Sequence, residues 1–386
     1  MMKIVYYLPK VILSRGMERI TILKANYFAE TFGYSVVLLT TEQRNHKPAY
    51  PISDKVTHLD LNVNFDDDNK LWKLITYPYK YFLFRKRLHK FINCFKPDIF
   101  VSTLWIWKEL RVITHLKDGS KKVGELHSGT WNQRHRFFLK NPLVKFFKKW
   151  EFNIMVNNIK KLDKFVVLTH EEAELWTGLS NLTVIPNFIT IPAPQQPSDV
   201  TSRRIVSVGA FSYEKGFDLL IDAWNIIAAK YPEWKLIIHG KGEQSPYMEQ
   251  INRYRLNDAV VIDTSYVSDL SEIYRNGSIY VLSSRKEGMP LVMIEAMSCG
   301  LPVVSFACKT GPKDIISDGE DGFLVESENI RQLAEKIEYL IENEDIRKEM
   351  GRKALLKSNR YKIENIAGKW VQLFQSLVTG TDAKND

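Results

Sequence analysis

Residues Ser283–Pro302, with the sequence SSRKEGMPLVMIEAMSCGLP, contain the pattern that most clearly predicts the architecture of this chain. The apolar run Ile279–Leu282 before it predicts a buried strand, and Pro302–Ser305 at its end predicts another. Between them, the turn residues Gly288 and Pro290 precede a helix-forming run. A strand, a helix and a second strand in this order predict a parallel sheet with crossover helices.

Two carboxylates stand eight positions apart in this stretch, Glu287 in the loop and Glu295 in the first helical turns. The helix start between them presents free backbone N–H groups and the positive end of the helix dipole. Such a helix tip can hold a diphosphate. Glu295 can accept hydrogen bonds from a neighbouring pair of sugar hydroxyls, each worth ~1.5–3 kcal/mol because the acceptor is charged.

Short β-type runs alternate with longer helical patterns along all 386 residues. The proline-rich segment Pro192–Asp199 cannot pair as a central strand, so it is interpreted as a linker between two α/β domains, 1–190 and 191–360. The predicted strands are Lys3–Leu8, Ser35–Thr40, Val56–Leu61, Asp98–Thr103, Lys121–His127, Lys164–Thr169, Leu182–Pro186, Arg204–Gly209, Lys235–Gly240, Val260–Asp263, Ser278–Ser283, Leu301–Ser305 and Gly322–Val325.

The composition is that of a folded protein, 45% hydrophobic and 26% charged, which excludes a disordered chain. No apolar run approaches the ~18–20 residues of a membrane span. The first apolar run is broken by Pro9 and Lys10 before it could serve as a signal sequence. Three scattered cysteines predict neither a disulfide framework nor a zinc site, so a cytoplasmic location and no required metal are expected.

The net charge of +9 is concentrated in part between Arg134 and Trp150, where six cations alternate with aromatic residues and no acid occurs. Two interpretations stay open for this segment. It could lie on an anionic membrane surface, or it could be a helix with buried aromatics and solvated lysines. No nucleic-acid recognition motif accompanies the charge, so a nucleic-acid partner is not expected.

Four segments of the C-terminal half together resemble the donor site of family 4 glycosyltransferases, which are retaining enzymes of the GT-B fold. They are the Glu287-to-Glu295 stretch, Ser207–Leu220 with its Lys215–Gly216 pair, Thr310–Ile316 and Asp318–Val325. The resemblance implies two Rossmann-like domains that face a cleft. It also implies that residues 361–378 form a helix crossing back to the N-terminal domain.

The resemblance implies roles for individual residues of the C-terminal domain. Glu295 would hold the nucleotide ribose, Glu287 would contact the donor sugar, and Lys215 would neutralise the diphosphate leaving group. Tyr266 would lie near the nucleobase, and the alternative is an ordinary packing tyrosine. Backbone groups that meet the phosphates and the sugar would come from the segment Gly288, Met289, Pro290, Leu291 and Val292.

The sequence also departs from the family pattern. The family usually has an arginine directly after the glycine of its first phosphate segment, where this chain has Ala210. Arg285 and Arg15 are the two candidates to replace that cation. Arg15 stands where the family has the first glycine of its N-terminal loop, and Gly16 can still let the backbone approach the donor.

His127 ends a predicted strand, where the family often has a histidine near the donor sugar, and it is the third catalytic candidate beside Glu287 and Lys215. The alternative is a hydrogen-bonded structural histidine. Glu125 is interpreted as pointing to the opposite face of that strand and is left out of the site.

The function expected from the resemblance is retaining transfer of a hexose or N-acetylhexosamine from a UDP-sugar to a saccharide or lipid-linked acceptor. The setting would be bacterial surface polysaccharide synthesis, such as capsule or lipopolysaccharide, in the cytoplasm or at the inner face of the membrane. The nucleotide sugar would be a co-substrate, and no other cofactor is expected. Two alternatives remain: a nucleotide-sugar 2-epimerase of the same fold, and a non-catalytic relative that binds nucleotide sugars.

Overall fold

The computed structural model describes residues 1–66, 70–104, 107–127, 142–265, 267 and 269–380. These form two compact units. Unit 1 comprises residues 1–168, 173–185 and the chain from Ile363 onward. Unit 2 comprises residues 169–172 and 186–362. Each unit is built around its own parallel sheet.

The sheet of unit 1 has seven strands in the order β3-β2-β1-β4-β5-β6-β7, and every paired neighbour runs parallel. Its central strands are buried except for the partly exposed Lys3, as expected when helices cover both faces of a parallel sheet. The strands are β1 Lys3–Tyr7, β2 Ser35–Thr40, β3 Val56–Asp60, β4 Ile99–Ser102, β5 Lys121–Glu125, β6 Lys164–Val167 and β7 Leu182–Val184.

The sheet of unit 2 has six parallel strands in the order β10-β9-β8-β11-β12-β13. Renumbered from the start of the unit, this is the 3-2-1-4-5-6 order of a Rossmann fold. The strands are β8 Arg204–Val208, β9 Lys235–His239, β10 Val260–Asp263, β11 Ile279–Leu282, β12 Val303–Phe306 and β13 Gly322–Val325.

Helices follow most of the strands and cover the sheets. In the described residues they are Gly16–Thr31, Lys70–Phe95, Trp107–Ile113, Pro142–Ile159, His170–Ala173, Phe217–Ile227, Ser245–Tyr254, Ser271–Arg275, Leu291–Ser298, Pro312–Ile315, Ile330–Glu342, Glu344–Ser358 and Ile363–Thr379. The segment from Ile330 to Ser358 forms two helices separated at Asn343, whose φ of −117° and ψ of 79° interrupt the helical backbone.

All thirteen predicted strands are present, and the prediction of two parallel α/β sheets is confirmed. The differences lie at strand ends, where most predictions extend one or two residues beyond the observed strand on one or both sides. The largest shift concerns Leu301–Ser305, which is observed as Val303–Phe306. Apolar periodicity does not separate the last paired residue from the first loop residue, because both can be buried.

The last helix, Ile363–Thr379, completes the core of unit 1. Trp370 and Phe374 are buried, and the Phe374 ring lies 5.7 Å from the ring of Phe28 on the first helix. Lys24, also on the first helix, places its ammonium 4.0 Å from the centre of the Trp370 ring. The two helices are therefore joined by aromatic packing and by a cation–π contact.

Candidate functional site

The site predicted from the sequence begins where two neighbouring strands of unit 2 end. β8 pairs with β11, although β9 and β10 come between them in the sequence. This pair is the point where the strand order of the sheet reverses. Loops at the carboxyl ends of such a pair commonly form a ligand site in open α/β sheets. Here those loops carry Lys215 and Glu287.

Lys215 and Glu287 form an ion pair, with 2.6 Å between Lys215 Nζ and Glu287 Oε1. Ser284 donates a second hydrogen bond to the same carboxylate oxygen, at 2.7 Å. The side chains of Lys215 and Glu287 retain 24% and 11% exposure, so both can still meet a ligand. An ammonium group has three donors, which allows Lys215 to hold Glu287 and a phosphate oxygen together.

The position of Lys215 depends on the glycine that follows it. Gly216 has a φ of +61°, and a Cβ added there would lie 2.1 Å from the carbonyl oxygen of Ser283. Only glycine allows this backbone approach between the two strand-end loops. Ser283 Oγ then donates to the carbonyl of Lys215 at 3.0 Å, and the aliphatic part of Lys215 passes close to Gly209.

The helix Leu291–Ser298 begins directly after the ion-paired loop. Its N-cap residue, Pro290, forms no side-chain capping bond. An uncapped helix start leaves backbone N–H groups and the positive end of the helix dipole available for an anion. Gly288, Leu291 and Val292 are partly exposed there, whereas Met289 and Pro290 are buried.

The loop that begins at Thr310 packs against the loop that carries Glu287. Thr310 donates its backbone N–H to Glu287 O at 3.1 Å, and its hydroxyl lies 3.0 Å from both Glu287 O and Gly288 O. Gly311, with a φ of +108°, passes so close that a Cβ would lie 2.7 Å from Pro290. The segment Thr310–Ile316 is thus brought against the Glu287-to-Glu295 stretch, and the two segments fix each other.

Glu295 lies on the same helix, but it is 1% exposed and already hydrogen-bonded. Thr190 donates to Oε1 at 2.5 Å, and Tyr274 donates to Oε2 at 3.1 Å. The carboxylate is therefore oriented by two hydroxyl groups in this structure. Hydroxyl groups of a ribose would present the same kind of donor, and one of them would have to take the place of the Thr190 hydroxyl or lie beside it.

Arg285 is held by groups other than the ion pair. Its guanidinium forms a double hydrogen bond with Asp218, at 2.9 and 2.6 Å, and another with the carbonyl of Tyr213 at 2.8 Å. It also stacks on the Tyr213 ring at 4.0 Å and lies 3.3 Å from Glu328. With these partners, few of its donors remain for the role of a phosphate ligand proposed from the sequence.

The candidates in unit 1 lie at two places. Arg15 and Gly16 are exposed and form the N-cap and first residue of the first helix. His127 follows β5 and is 7% exposed, with Nε2 3.4 Å from Glu125 Oε1. The interpretation of Glu125 as facing away from His127 is therefore wrong. Residues two apart on a strand share a face, and both side chains lie on the same side.

Glu125 and His127 belong to a buried cluster of ionisable side chains. Lys24 Nζ lies 2.5 and 2.6 Å from the two carboxylate oxygens of Glu125. Burial alone would raise the pKa of Glu125, but the nearby Lys24 and His127 outweigh it and hold that pKa at about 2. The carboxylate is therefore ionised at neutral pH and fixes the strand end that carries His127.

Some predicted positions lie outside the described residues. Tyr266 is one of them, and so are residues 128–141, which include the first part of the basic aromatic segment. Of that segment, Phe146 and Trp150 are described as 66% and 56% exposed on the helix Pro142–Ile159.

Sequence reasoning missed the neighbours that orient the site. Thr190 and Tyr274 are 105 and 21 residues away from Glu295 in sequence, and neither lies in a recognisable motif. Lys24 is 101 residues away from Glu125. Hydrogen bonds over such separations follow from strand order, which apolar periodicity does not reveal. Only Ser284, three residues before Glu287, could have been proposed from local spacing.

Comparison with known proteins places this site in a family. A family model described as "Glycosyl transferases group 1" matches residues 191–357. An uncharacterized glycosyltransferase from Haemophilus influenzae is 31% identical over 386 residues, covering 96% of this chain and 99% of that protein. The chain belongs to the group 1 glycosyltransferases.

Other members extend the comparison. The amylovoran biosynthesis glycosyltransferase AmsD from Erwinia amylovora is 34% identical over 218 residues, covering 54% of this chain and 61% of that protein. Among solved structures, Staphylococcus aureus TarM in complex with UDP superposes with a TM-score of 0.76 at 18% identity, covering 97% of this chain and 100% of TarM. This similarity shows the GT-B fold, with two Rossmann-like domains.

Within the described residues of this group 1 glycosyltransferase, no group of three or more His, Cys, Asp or Glu side chains is arranged to hold a metal ion. None of the described helices combines the length and the apolarity that crossing a bilayer requires.

Proposed function

We propose that this glycosyltransferase moves a hexose or N-acetylhexosamine from a UDP-sugar to a saccharide or lipid-linked acceptor in bacterial surface polysaccharide synthesis. The observation that carries the proposal is the Lys215–Glu287 ion pair, which lies at the switch point of unit 2 beside an uncapped helix start. The name of AmsD supports the polysaccharide setting, and the UDP bound by TarM supports the choice of nucleotide.

In this proposal each group meets one part of the donor. The helix start at Leu291 and Val292 binds the diphosphate, and Lys215 stabilises the charge that develops there as the sugar leaves. Glu287 accepts hydrogen bonds from sugar hydroxyls while its bond to Lys215 holds the carboxylate in position. Glu295 accepts hydrogen bonds from the ribose hydroxyls.

The stereochemical course proposed is retention, with the acceptor attacking the face from which UDP departs. The leaving phosphate oxygen then takes the proton of the acceptor hydroxyl, so no protein carboxylate has to act as a covalent nucleophile. His127 and Gly16 are proposed as additional groups on the donor sugar and phosphates. Arg15 is proposed as a cation in place of the missing arginine at Ala210, since Arg285 is held by Asp218.

The test combines binding and turnover. UDP and UDP-sugars should raise the melting temperature of the wild-type protein, because a ligand that binds only the folded state stabilises it. Lys215→Gln should lower kcat/KM for transfer by ~100-fold or more, since a charge contact made in the transition state is lost. Lys353→Gln removes an exposed lysine elsewhere in unit 2 and should leave both measurements unchanged.

Four outcomes would contradict the proposal. Equal activity of Lys215→Gln and Lys353→Gln would remove the ion pair from the site. Isomerised UDP-sugar formed without any acceptor would indicate an epimerase. UDP binding without turnover over a panel of donors and acceptors would indicate a non-catalytic relative.

Proton NMR of the product tests the stereochemical course. The product should show the anomeric configuration of the donor, and the opposite configuration would exclude retention.

A further inference from the structure

A pocket of about 210 Å³ lies in unit 1, where the helix Lys70–Phe95 approaches the helix Trp107–Ile113. This volume corresponds to roughly seven water molecules, enough for one phosphate group. Basic side chains dominate its wall, and within the part of the chain that the structure describes no carboxylate contributes to it. The lining residues are Tyr81, Arg85, His89, Arg111, Val112 and His115.

The basic groups of this pocket are arranged to face an anion. Arg85 and Arg111 are exposed, and no ion pair is found for either within the described part of the chain. The ring of His115 donates through Nδ1 to Arg111 O at 2.6 Å and accepts through Nε2 from Lys161 at 3.1 Å, which adds another cation at this edge. Several cations without a carboxylate repel one another until an anion binds between them.

The helix that provides Arg85 also carries an exposed apolar row. Ile75, Tyr79 and Phe82 follow one another at helical spacing and are 69%, 65% and 62% exposed. Lys86, one turn after Phe82, continues the row and is exposed. The helix Lys70–Phe95 contains seven Lys and Arg residues and no acidic residue.

A second helix presents the same combination. Pro142–Ile159 contacts the helix Trp107–Ile113 that forms the other wall of the pocket. Its residues Phe146 and Trp150 are largely exposed, and Lys149 between them is exposed as well. Aromatic side chains next to cations are typical of surfaces that lie in the headgroup region of a membrane.

We propose that the pocket lined by Arg85 and Arg111 binds the phosphate headgroup of an anionic membrane lipid, while Ile75, Tyr79 and Phe82 enter the headgroup region beside it. Charge complementarity argues for a phosphate, and the apolar row argues that the phosphate belongs to a lipid. A phosphate ligand free in solution would have no use for three exposed apolar side chains. The inference does not depend on the sugar-transfer reaction proposed above.

The experiment is vesicle flotation of the full chain at ~0.15 M salt, where weak surface electrostatics is screened. The probes are vesicles of phosphatidylcholine alone and of equimolar phosphatidylglycerol and phosphatidylcholine. The wild-type protein should bind only the second. R85Q/R111Q should lower its partition coefficient roughly tenfold or more, and Y79S/F82S should lower it to a similar extent.

The matched control is K47Q/K55Q, which removes the same number of positive charges from two exposed lysines of unit 1 that do not line the pocket. It should change the partition coefficient less than about threefold, because the proposed contact is local. All variants should keep the melting temperature of the wild type and its response to UDP. A variant that does not is replaced by the single substitution R85Q or R111Q.

Three results would overturn the proposal. Equal binding to both kinds of vesicle would exclude recognition of anionic lipid. An equal loss in R85Q/R111Q and K47Q/K55Q would indicate diffuse attraction rather than a pocket. In the third result, inorganic phosphate alone would raise the melting temperature of the wild type but not that of R85Q/R111Q. If Y79S/F82S also floated like the wild type, the ligand of the pocket would be a soluble phosphate and not a lipid headgroup.

Discussion

The carboxylate of Glu295 shows how the residues of the proposed site are prepared before any ligand binds. Thr190 and Tyr274 donate to its two oxygens, so its orientation is set by hydroxyl groups. A ribose would replace one hydroxyl donor by another, and the carboxylate would lose little in the exchange. The Thr190 hydroxyl would then compete with a ribose hydroxyl for Glu295, and mutation of Thr190 can measure the effect on nucleotide affinity.

We expect Glu295→Ala to lower kcat/KM by ~100-fold or more, because two charge-assisted bonds to ribose are lost. Thr190→Val keeps the shape of the side chain but removes the competing donor. It should leave UDP affinity unchanged or raise it up to ~10-fold while lowering the melting temperature. Isothermal titration with UDP and thermal unfolding check both variants. If Thr190→Val abolished UDP binding, Thr190 would be a ligand of the nucleotide and not its competitor.

Glu109 predicts a pH dependence of stability. Burial is the main reason that its pKa is raised to about 8; Glu42 raises it further, and the hydrogen bond from Tyr7 lowers it. This pKa lies above that of Glu109 in the unfolded chain, so the contribution of Glu109 to stability is complete below about pH 4.5. As the pH rises toward 8 this contribution is lost, and the free energy of unfolding falls by at most ~5 kcal/mol.

Glu109→Gln replaces the carboxyl by a neutral amide of similar shape. The melting temperature of the wild type should therefore fall relative to that of Glu109→Gln between pH 5 and pH 9. Glu174→Gln, at an exposed glutamate of the same unit, should run parallel to the wild type. Parallel curves for the wild type and Glu109→Gln would mean that Glu109 is ionised throughout this range.

The proposed site also depends on two strand-end loops that approach each other closely at a glycine. The 3₁₀ turn Tyr213–Lys215 ends in Gly216, which starts the helix Phe217–Ile227 and lies against the end of β11. The strand ends supply the framework, and the close backbone contact sets the distance between Lys215 and Glu287. The spacing of the two charged groups is thus a property of two elements and not of either side chain.

Gly216→Ala should be destabilising by ~2–4 kcal/mol, because alanine is disfavoured at a φ of +61° and its Cβ meets Ser283 O. It should also lower kcat/KM more than its loss of stability explains, since Lys215 is displaced. Gly368→Ala is the control, as a Cβ there meets nothing within 4 Å inside a helix, and it should stabilise by ~0.5–1 kcal/mol. Denaturant unfolding and steady-state kinetics check both. Unaltered kinetics in a folded Gly216→Ala protein would contradict the argument.

For this chain the sequence predicts the fold better than it predicts the residues around the proposed site. Apolar runs such as Val260–Asp263 and Gly322–Val325 define strands through local patterning alone, and both are observed with the predicted bounds. The motif around Glu287 indicates which loops matter. The partners of Glu295 and Glu125 could not be predicted, because they come from distant segments that only the strand order brings together.

The chain returns to unit 1 at its end, and this predicts the effect of a truncation. Removing the residues after Lys362 deletes Trp370 and Phe374, which are 1% and 0% exposed and cover Phe28 and the buried Lys24–Glu125 pair. Losing two such aromatic side chains costs roughly 6–10 kcal/mol, comparable with the whole stability of a domain. Unit 1 should then unfold, or persist only as an unstable core.

Unit 2 keeps its own sheet and core in that truncated chain, so its response to UDP should survive. Unit 1, in contrast, should become more sensitive to proteolysis. Limited proteolysis with and without UDP, followed by mass spectrometry, should find early cleavage sites within residues 1–168 and a protected fragment covering residues 186–362. The full chain is the control and should resist cleavage in both parts. If residues 1–168 stayed protected in the truncated chain, the last helix would not be required for the stability of unit 1. The Lys24–Trp370 contact would then contribute little to the stability of that unit.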